Sequence, residues 1–285
     1  MKTMLQTGIF FHYQQGNRLQ DFPQALGTLL SRENVFLYDA NYPSKPASEY
    51  DLTTIPIELI YRVHTPAMVE QVREFGQFDG ALFSVSGTVA AATRIWKGEI
   101  DNAFVFTGYG DHHAGTDFFG GGCYFNGAAV AIRELQQRFE ARKFAIIDTD
   151  AHHGDGTWDI FKDDQDVQYI CLCSGRDAET NHKINVRVPS QLDDQAYLHL
   201  LSGRLGKVAA FRPELIFWNW GYDGTRGEYA DMGLTPGLHA RLAAVLQNAA
   251  GRICSGRLIT VLCGGSRRDL ARKLIPGIIE VLARE

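Results

Sequence analysis

Short apolar runs alternate with stretches of helical spacing along the last two thirds of the chain. Residues 103–107 form one such run, closed by Gly108, the pattern of a strand buried on both faces. Residues 126–143 follow with Ala129, Ile132, Leu135 and Phe139 at helical spacing, behind Asn126 as a side chain suited to cap the first turn. The same reading predicts strands over 143–147, 167–173, 215–220 and 258–263, and helices over 193–211, 235–254 and 270–284. Strand and helix in strict alternation argue for an α/β fold, one parallel sheet covered by helices on both faces. The first hundred residues are less regular. Helices are expected at 65–75, opened by Thr65-Pro66, and at 86–96, with a proline- and serine-bearing loop at 41–48. No Gly-, Ser- or Pro-rich tract resembles a linker, so a single domain over 1–285 is expected.

Composition narrows the function classes. With 45% hydrophobic residues the chain can bury a substantial core, and a net charge of −5 gives no basic surface that would attract nucleic acid. The five cysteines, Cys123, Cys171, Cys173, Cys254 and Cys263, are odd in number and form no CxxC pair. They read as reduced, mostly buried thiols of a cytoplasmic protein. Cys171 and Cys173 would share one face of a strand, and buried thiols are the preferred account over metal ligands. Residues 1–11 carry neither the long apolar core of a signal peptide nor a membrane span, so no membrane partner is expected. Oligomeric state is left open.

The chemistry concentrates at strand ends. The strand at 143–147 runs into Asp148-Thr149-Asp150-Ala151-His152-His153-Gly154-Asp155-Gly156. Residues i and i+2 of an extended backbone point the same way, so Asp150 and His152 can reach one point at the carboxyl end of a parallel strand. One carboxylate and one imidazole suit a borderline-soft metal such as zinc, with iron also compatible. Asp223, leaving the strand at 215–220, is the natural third ligand. Its plain reading is an Asp-Gly turn, and the neighbouring pair tips the balance. Asp–His–Asp leaves coordination positions open for water and a substrate oxygen, the catalytic pattern. His112 and His113 follow the strand at 103–107 on a glycine-rich loop. Asp148 is expected to accept from the far nitrogen of His112, and Asp155 from that of His113, which fixes each tautomer.

These motifs taken in order resemble the histone deacetylase superfamily. They are Gly110-Asp111-His112-His113-Ala114, Gly120-Gly121-Gly122-Cys123-Tyr124-Phe125-Asn126, the string from Asp148 to Thr157, Gly221-Tyr222-Asp223 and Gly264-Gly265. Val63-His64-Thr65 and Ser86-Gly87-Thr88 resemble its N-terminal segments, and the glycine tract before Cys123 is most similar to class IV members. The resemblance implies an arginase-like α/β/α sandwich around a mainly parallel eight-stranded sheet. It implies zinc on Asp150, His152 and Asp223, with His113 as base and acid and His112 as its electrostatic partner. It implies acylated amines, acyl-lysine or acylpolyamine, as substrates. Gly122, Cys123, Tyr124, Tyr222, Gly264, Gly265 and Ser266 would line the substrate site. A structural potassium would sit on main-chain oxygens of Asp148, Asp150, His152, Cys171 and Leu172. An arginase-like guanidino hydrolase is disfavoured, since two adjacent metals need more carboxylates than can be placed.

The chain departs from that pattern. The family's tyrosine after Gly-Gly, whose hydroxyl donates to the developing oxyanion, is Ser266 here, too short to replace a phenol. Losing one such donor costs roughly 10²–10³ in turnover. Turnover on acetyl-lysine would be weak, or Tyr109, Tyr222 or Arg267 would substitute, or the chain would be a catalytically weak, metal-containing acyl-group binding protein. The family's aromatic before the cysteine is Gly122, leaving Phe118 or Phe119 to fill one wall or a wider pocket. Cys173 replaces a histidine near the potassium. Asp111 before the dyad adds negative charge expected to raise the histidine pKa values.

Overall fold

The computed structural model describes residues 4–12, 25–38 and 54–284, and the loop expected at 41–48 lies outside them. The strands are β1 (Thr7–Phe10), β2 (Val35–Tyr38), β3 (Asn102–Val105), β4 (Phe144–Asp148), β5 (Val167–Cys173), β6 (Ala178–Thr180), β7 (Lys183–Arg187), β8 (Leu215–Trp220) and β9 (Leu258–Leu262). They make one sheet in the order β2-β1-β3-β9-β8-β4-β5-β7-β6. Eight strands run parallel, and β6 joins the edge antiparallel to β7. The eight expected parallel strands therefore carry a ninth at the edge. β6 has no apolar pattern to betray it, being exposed throughout and joined to β7 through Asn181 in a left-handed conformation.

The helices are α1 (Ile57–Ile60), α2 (Pro66–Glu74), α3 (Phe78–Trp96), α4 (Gly127–Phe139), α5 (Asp155–Phe161), α6 (Asp194–Phe211), α7 (Leu238–Cys254) and α8 (Arg268–Leu282). Local chemistry sets their ends. Thr65, Asn126 and Asp193 accept the N–H of Met68, Ala129 and Ala196 at 3.2, 3.0 and 2.8 Å, capping α2, α4 and α6. Glu140, Arg212 and Ser255 end α4, α6 and α7 in left-handed conformations. Strand side chains alternate between two cores. Ala145 and Ile147 of β4 pack with α6, α7 and α8, whereas Phe144 and Ile146 pack with α1 to α5. The sheet is thus sandwiched between two helical layers, the α/β/α arrangement expected. Among the described residues no helix is long and apolar enough to cross a membrane.

Candidate active site

The carboxyl ends of β3, β9, β8 and β4 lie side by side, and the loops leaving them meet over the sheet. β4 ends at Asp148, which lies in register with Asn219 of β8. Two residues on, Asp150 and then His152 turn toward the loop that brings in Asp223. Nδ1 of His152 lies 3.2 Å from Oδ1 of Asp150 and 2.8 Å from Oδ2 of Asp223. Ligand atoms of the three residues all fall within 4.8 Å of one another.

Asp150 and Asp223 are buried, and among the described residues their ion-pair partners are histidines alone. Backbone donors hold the other oxygens. Gly264 N–H reaches Asp150 at 2.6 Å, and Ala151 N–H reaches Asp223 at 3.1 Å. Oδ2 of Asp223 makes no aligned hydrogen bond despite its closeness to His152. Burial, then repulsion from Asp150, pushes the Asp223 carboxyl up to about 6. Burial also opposes the charge on Asp150, but His112 and His152 outweigh it and hold this carboxyl well below the usual range. An under-satisfied buried oxygen beside a second carboxylate and an imidazole nitrogen is a donor set that fits a divalent cation such as zinc or iron.

His112 and His113 lie beside this cluster with ring centroids 4.2 Å apart and their planes tilted by 56°. Nδ1 of His112 is 2.8 Å from Oδ2 of Asp148, and Nδ1 of His113 is 2.7 Å from Oδ1 of Asp155. Asp148 also accepts from the Tyr169 hydroxyl at 2.8 Å, which fixes its orientation. The two imidazoles are driven apart electrically. Burial works against a charged His112, but Asp148 and Asp150 raise it to about 10. Burial, then the neighbouring His112, lowers His113, with Asp155 pulling the other way. Asp111, expected to raise the histidine pKa values, does interact with His112 through its charge, although its hydrogen bonds lie elsewhere. Its carboxylate accepts from Gly127 N–H and, at 3.0 Å, from Ala128 N–H, so it is aimed at the first turn of α4 rather than at the dyad. Burial raises its own pKa to about 6.

A cavity of about 250 Å³ opens over these groups, lined by His112, His113, Gly121, Cys123, Asp150, His152, Tyr229 and Gly264. Of the expected lining residues, Cys123 and Gly264 are there and the others are not. Gly121, not Gly122, meets the dyad, since a Cβ on it would lie 2.5 Å from the His113 ring. Tyr124 turns to Tyr109 and Phe119, with ring centroids 5.0 and 5.4 Å away. Phe119 in turn meets Phe75, and Phe118 lies against Gly115, so neither walls the pocket. Tyr222 is buried beneath Gly265, where a Cβ would run into its ring, which makes it core rather than pocket. Ser266 faces away, its hydroxyl donating to Glu228 at 2.9 Å. Glu228 also accepts the N–H of Arg267 at 2.6 Å, while the Arg267 guanidinium pairs with Asp269.

Sequence reasoning missed Tyr229 and Glu228. Both lie in the irregular segment after Asp223, where only turn-forming glycines and Asp231 give a local signal. His153 joins Cys171 and Cys173 in a second group with ligand atoms within 4.8 Å. Both thiols are buried and unpaired, as expected, and Cys171, then His153, lowers Cys173 to about 5 by hydrogen bonding.

Comparison with known proteins places the chain in a family. Residues 74–282 match the histone deacetylase domain. A probable deacetylase of Archaeoglobus fulgidus is 31% identical over 206 residues, 67% of this chain and 57% of that protein. Histone deacetylase 15 of Arabidopsis thaliana is 30% identical over 68% of this chain and 38% of its own length. A histone deacetylase-like amidohydrolase of Pseudomonas aeruginosa is 30% identical over 67% and 54%. The chain thus spans about half or less of these relatives' lengths. In fold it is similar to the crystal structure of the HDA15 HD domain, with a TM-score of 0.84 and 22% identity over 98% of this chain and 88% of that one. With its sandwich, its strand-end cluster and a domain match reaching from α2 to α8, the chain belongs to the histone deacetylase family.

Proposed function

We propose that the chain is a zinc-dependent amidohydrolase that removes an acyl group from an acylated amine, acyl-lysine or acylpolyamine. The observation that carries this reading is the convergence of Asp150, His152 and Asp223 on one point beneath the dyad. Those three residues would hold the ion, with ferrous iron as the alternative. When bound, the metal lowers the pKa of a coordinated water and polarises the substrate carbonyl.

The chain's own residues do the rest. Asp155 on Nδ1 of His113 leaves Nε2 as the acceptor, and the lowered pKa keeps that ring neutral near pH 7, ready to take a proton from water and pass one to the leaving amine. His112, held by Asp148, contributes positive charge beside it. Main-chain oxygens of Asp148, Asp150, His152, Cys171 and Leu172 would hold a potassium. Unpaired cysteines fit a cytoplasmic setting.

A second reading, a catalytically weak acyl-group binding protein, draws on one observation. Ser266 is tied to Glu228 and cannot donate into the pocket. The purified protein assayed on acyl-lysine peptides and acylpolyamines of differing chain length, with and without chelator, separates the two. Chelator-sensitive release of free amine supports hydrolysis. Binding of the same compounds without release supports the second reading.

A further inference from the structure

Amide hydrolysis needs a hydrogen-bond donor where the carbonyl oxygen gains charge. Ser266 and the three groups expected to replace the missing phenol all point elsewhere. Ser266 is bonded to Glu228, Tyr222 is packed under Gly265, Tyr109 is packed on Tyr124, and Arg267 is paired with Asp269. Tyr229 does enter the cavity. Its ring lies nearly parallel to that of His152, with centroids 5.8 Å apart, and lines the same wall as Gly264. Its hydroxyl accepts the N–H of Gly265 at 3.3 Å. Gly265 is the neighbour of Gly264, whose N–H binds Asp150. The phenol oxygen and the Asp150 carboxylate therefore accept from successive backbone N–H groups of the same loop. A phenol that accepts one hydrogen bond keeps its O–H as a donor. Tyr229 is 62% exposed, so part of it remains open to solvent while it lines the cavity.

We propose that Tyr229, carried by the loop after β8, is the oxyanion donor of this site, taking the duty that residue 266 does not perform. The proposal rests on the amidohydrolase reading above. In the reaction the oxygen of water bonds to the carbonyl carbon and the C=O π pair moves onto oxygen, where the Tyr229 O–H donates without giving up its proton. The pair returns as the C–N bond breaks, and the nitrogen leaves as amine with a proton from His113. The balance is amide plus water giving carboxylic acid plus amine.

Tyr229→Phe keeps the ring against His152 and removes only the hydroxyl. On the best substrate of the acyl-lysine and acylpolyamine panel, kcat is expected to fall by about 10²–10³, the usual loss for one oxyanion donor, with KM within about threefold. Metal content by elemental analysis should stay at the wild-type level. Affinity for a trifluoromethyl ketone analogue of that substrate, whose hydrated carbon is tetrahedral, should fall by a comparable factor. A metal-loaded variant with wild-type kcat and analogue affinity overturns the proposal and leaves Tyr229 a wall of the pocket. Wild-type protein that hydrolyses nothing in the panel would instead sink the amidohydrolase reading. Affinity for a trifluoromethyl ketone analogue of an acetyl-lysine peptide, compared between wild type and Tyr229→Phe, would then still decide whether the hydroxyl donates to a tetrahedral centre: an unchanged affinity overturns that role.

Discussion

The amide N–H of Gly264 donates to Oδ2 of Asp150 at 2.6 Å, joining the loop after β9 to a carboxylate 114 residues earlier. No side chain fits there. A Cβ would run into Asp150 and lie 2.9 Å from Cγ of Asp223. Gly264→Ala is expected to spread the two carboxylates, weakening metal binding by about 10- to 100-fold, as for other disturbed supports of a metal site. Overpacking should cost about 1–3 kcal/mol of stability. Chelator competition and urea unfolding measure the two effects separately.

On the proposed reading, metal ligation and proton transfer fall to different residues and should separate in variants. Asp150→Asn and His152→Ala are expected to leave the purified protein without stoichiometric metal. His113→Ala should keep the metal and lose about 10²–10⁴ in kcat, the usual range for a general base. Full metal occupancy in both ligand variants would rule out this site.

Asp155 should tune the pH profile through His113. The His113 pKa lies below its ordinary 6.5, and Asp155 is a group that raises it. If the neutral ring is the base, as proposed, activity should rise with pH through that lowered value and be level by about pH 7. Asp155→Asn removes an upward pull, so the acid limb should move to lower pH. Plateau kcat should fall roughly tenfold as the tautomer loses its support. A limb that moves upward would contradict the assignment.

How much of this was legible depended on burial and on span. β4, β5, β8 and β9 are continuous apolar runs because both faces of each are covered, and their predicted bounds agree with the structure to within a residue or two. α3 begins at Phe78, well before the expected start at 86. Ser84 and Ser86 look like loop residues, but their hydroxyls bond back to the carbonyls of Gly80 and Leu82 within the helix. β7 hides behind Lys183, a buried lysine whose ammonium donates to the carbonyls of Asp164 and Val167. α5 lies inside a glycine-bearing motif that reads as a turn. In the site, Asp150 and His152 were visible because strand geometry sets their direction from sequence alone. Tyr229 was not, since an irregular loop carries no periodicity from which to infer where a side chain points.

His64 should make the fold acid-sensitive. Its ring bridges the Gly115 carbonyl at 2.8 Å and the Asn126 N–H at 3.0 Å, one nitrogen donating and the other accepting. Burial lowers its pKa from 6.5 to about 4. Between those values the unfolded chain takes up a proton that the folded ring refuses. Stability is therefore full above about pH 6.5 and is lost as pH falls toward 4, by up to about 3 kcal/mol at ~1.4 kcal/mol per unit. Urea unfolding at pH 7 and pH 4.5 should show a smaller loss on acidification for His64→Gln than for wild type. An equal loss would place the sensitivity at His12 or His239, each also lowered to about 4.

Because every group of the candidate site hangs from the carboxyl ends of four adjacent strands, the proposed chemistry gives the molecule a working end and an idle end. The turn between α7 and β9, where exposed Ser255 takes a left-handed conformation, belongs to the idle end. A fluorophore, a resin linkage or a fused carrier attached there would leave the mouth of the cavity unobstructed.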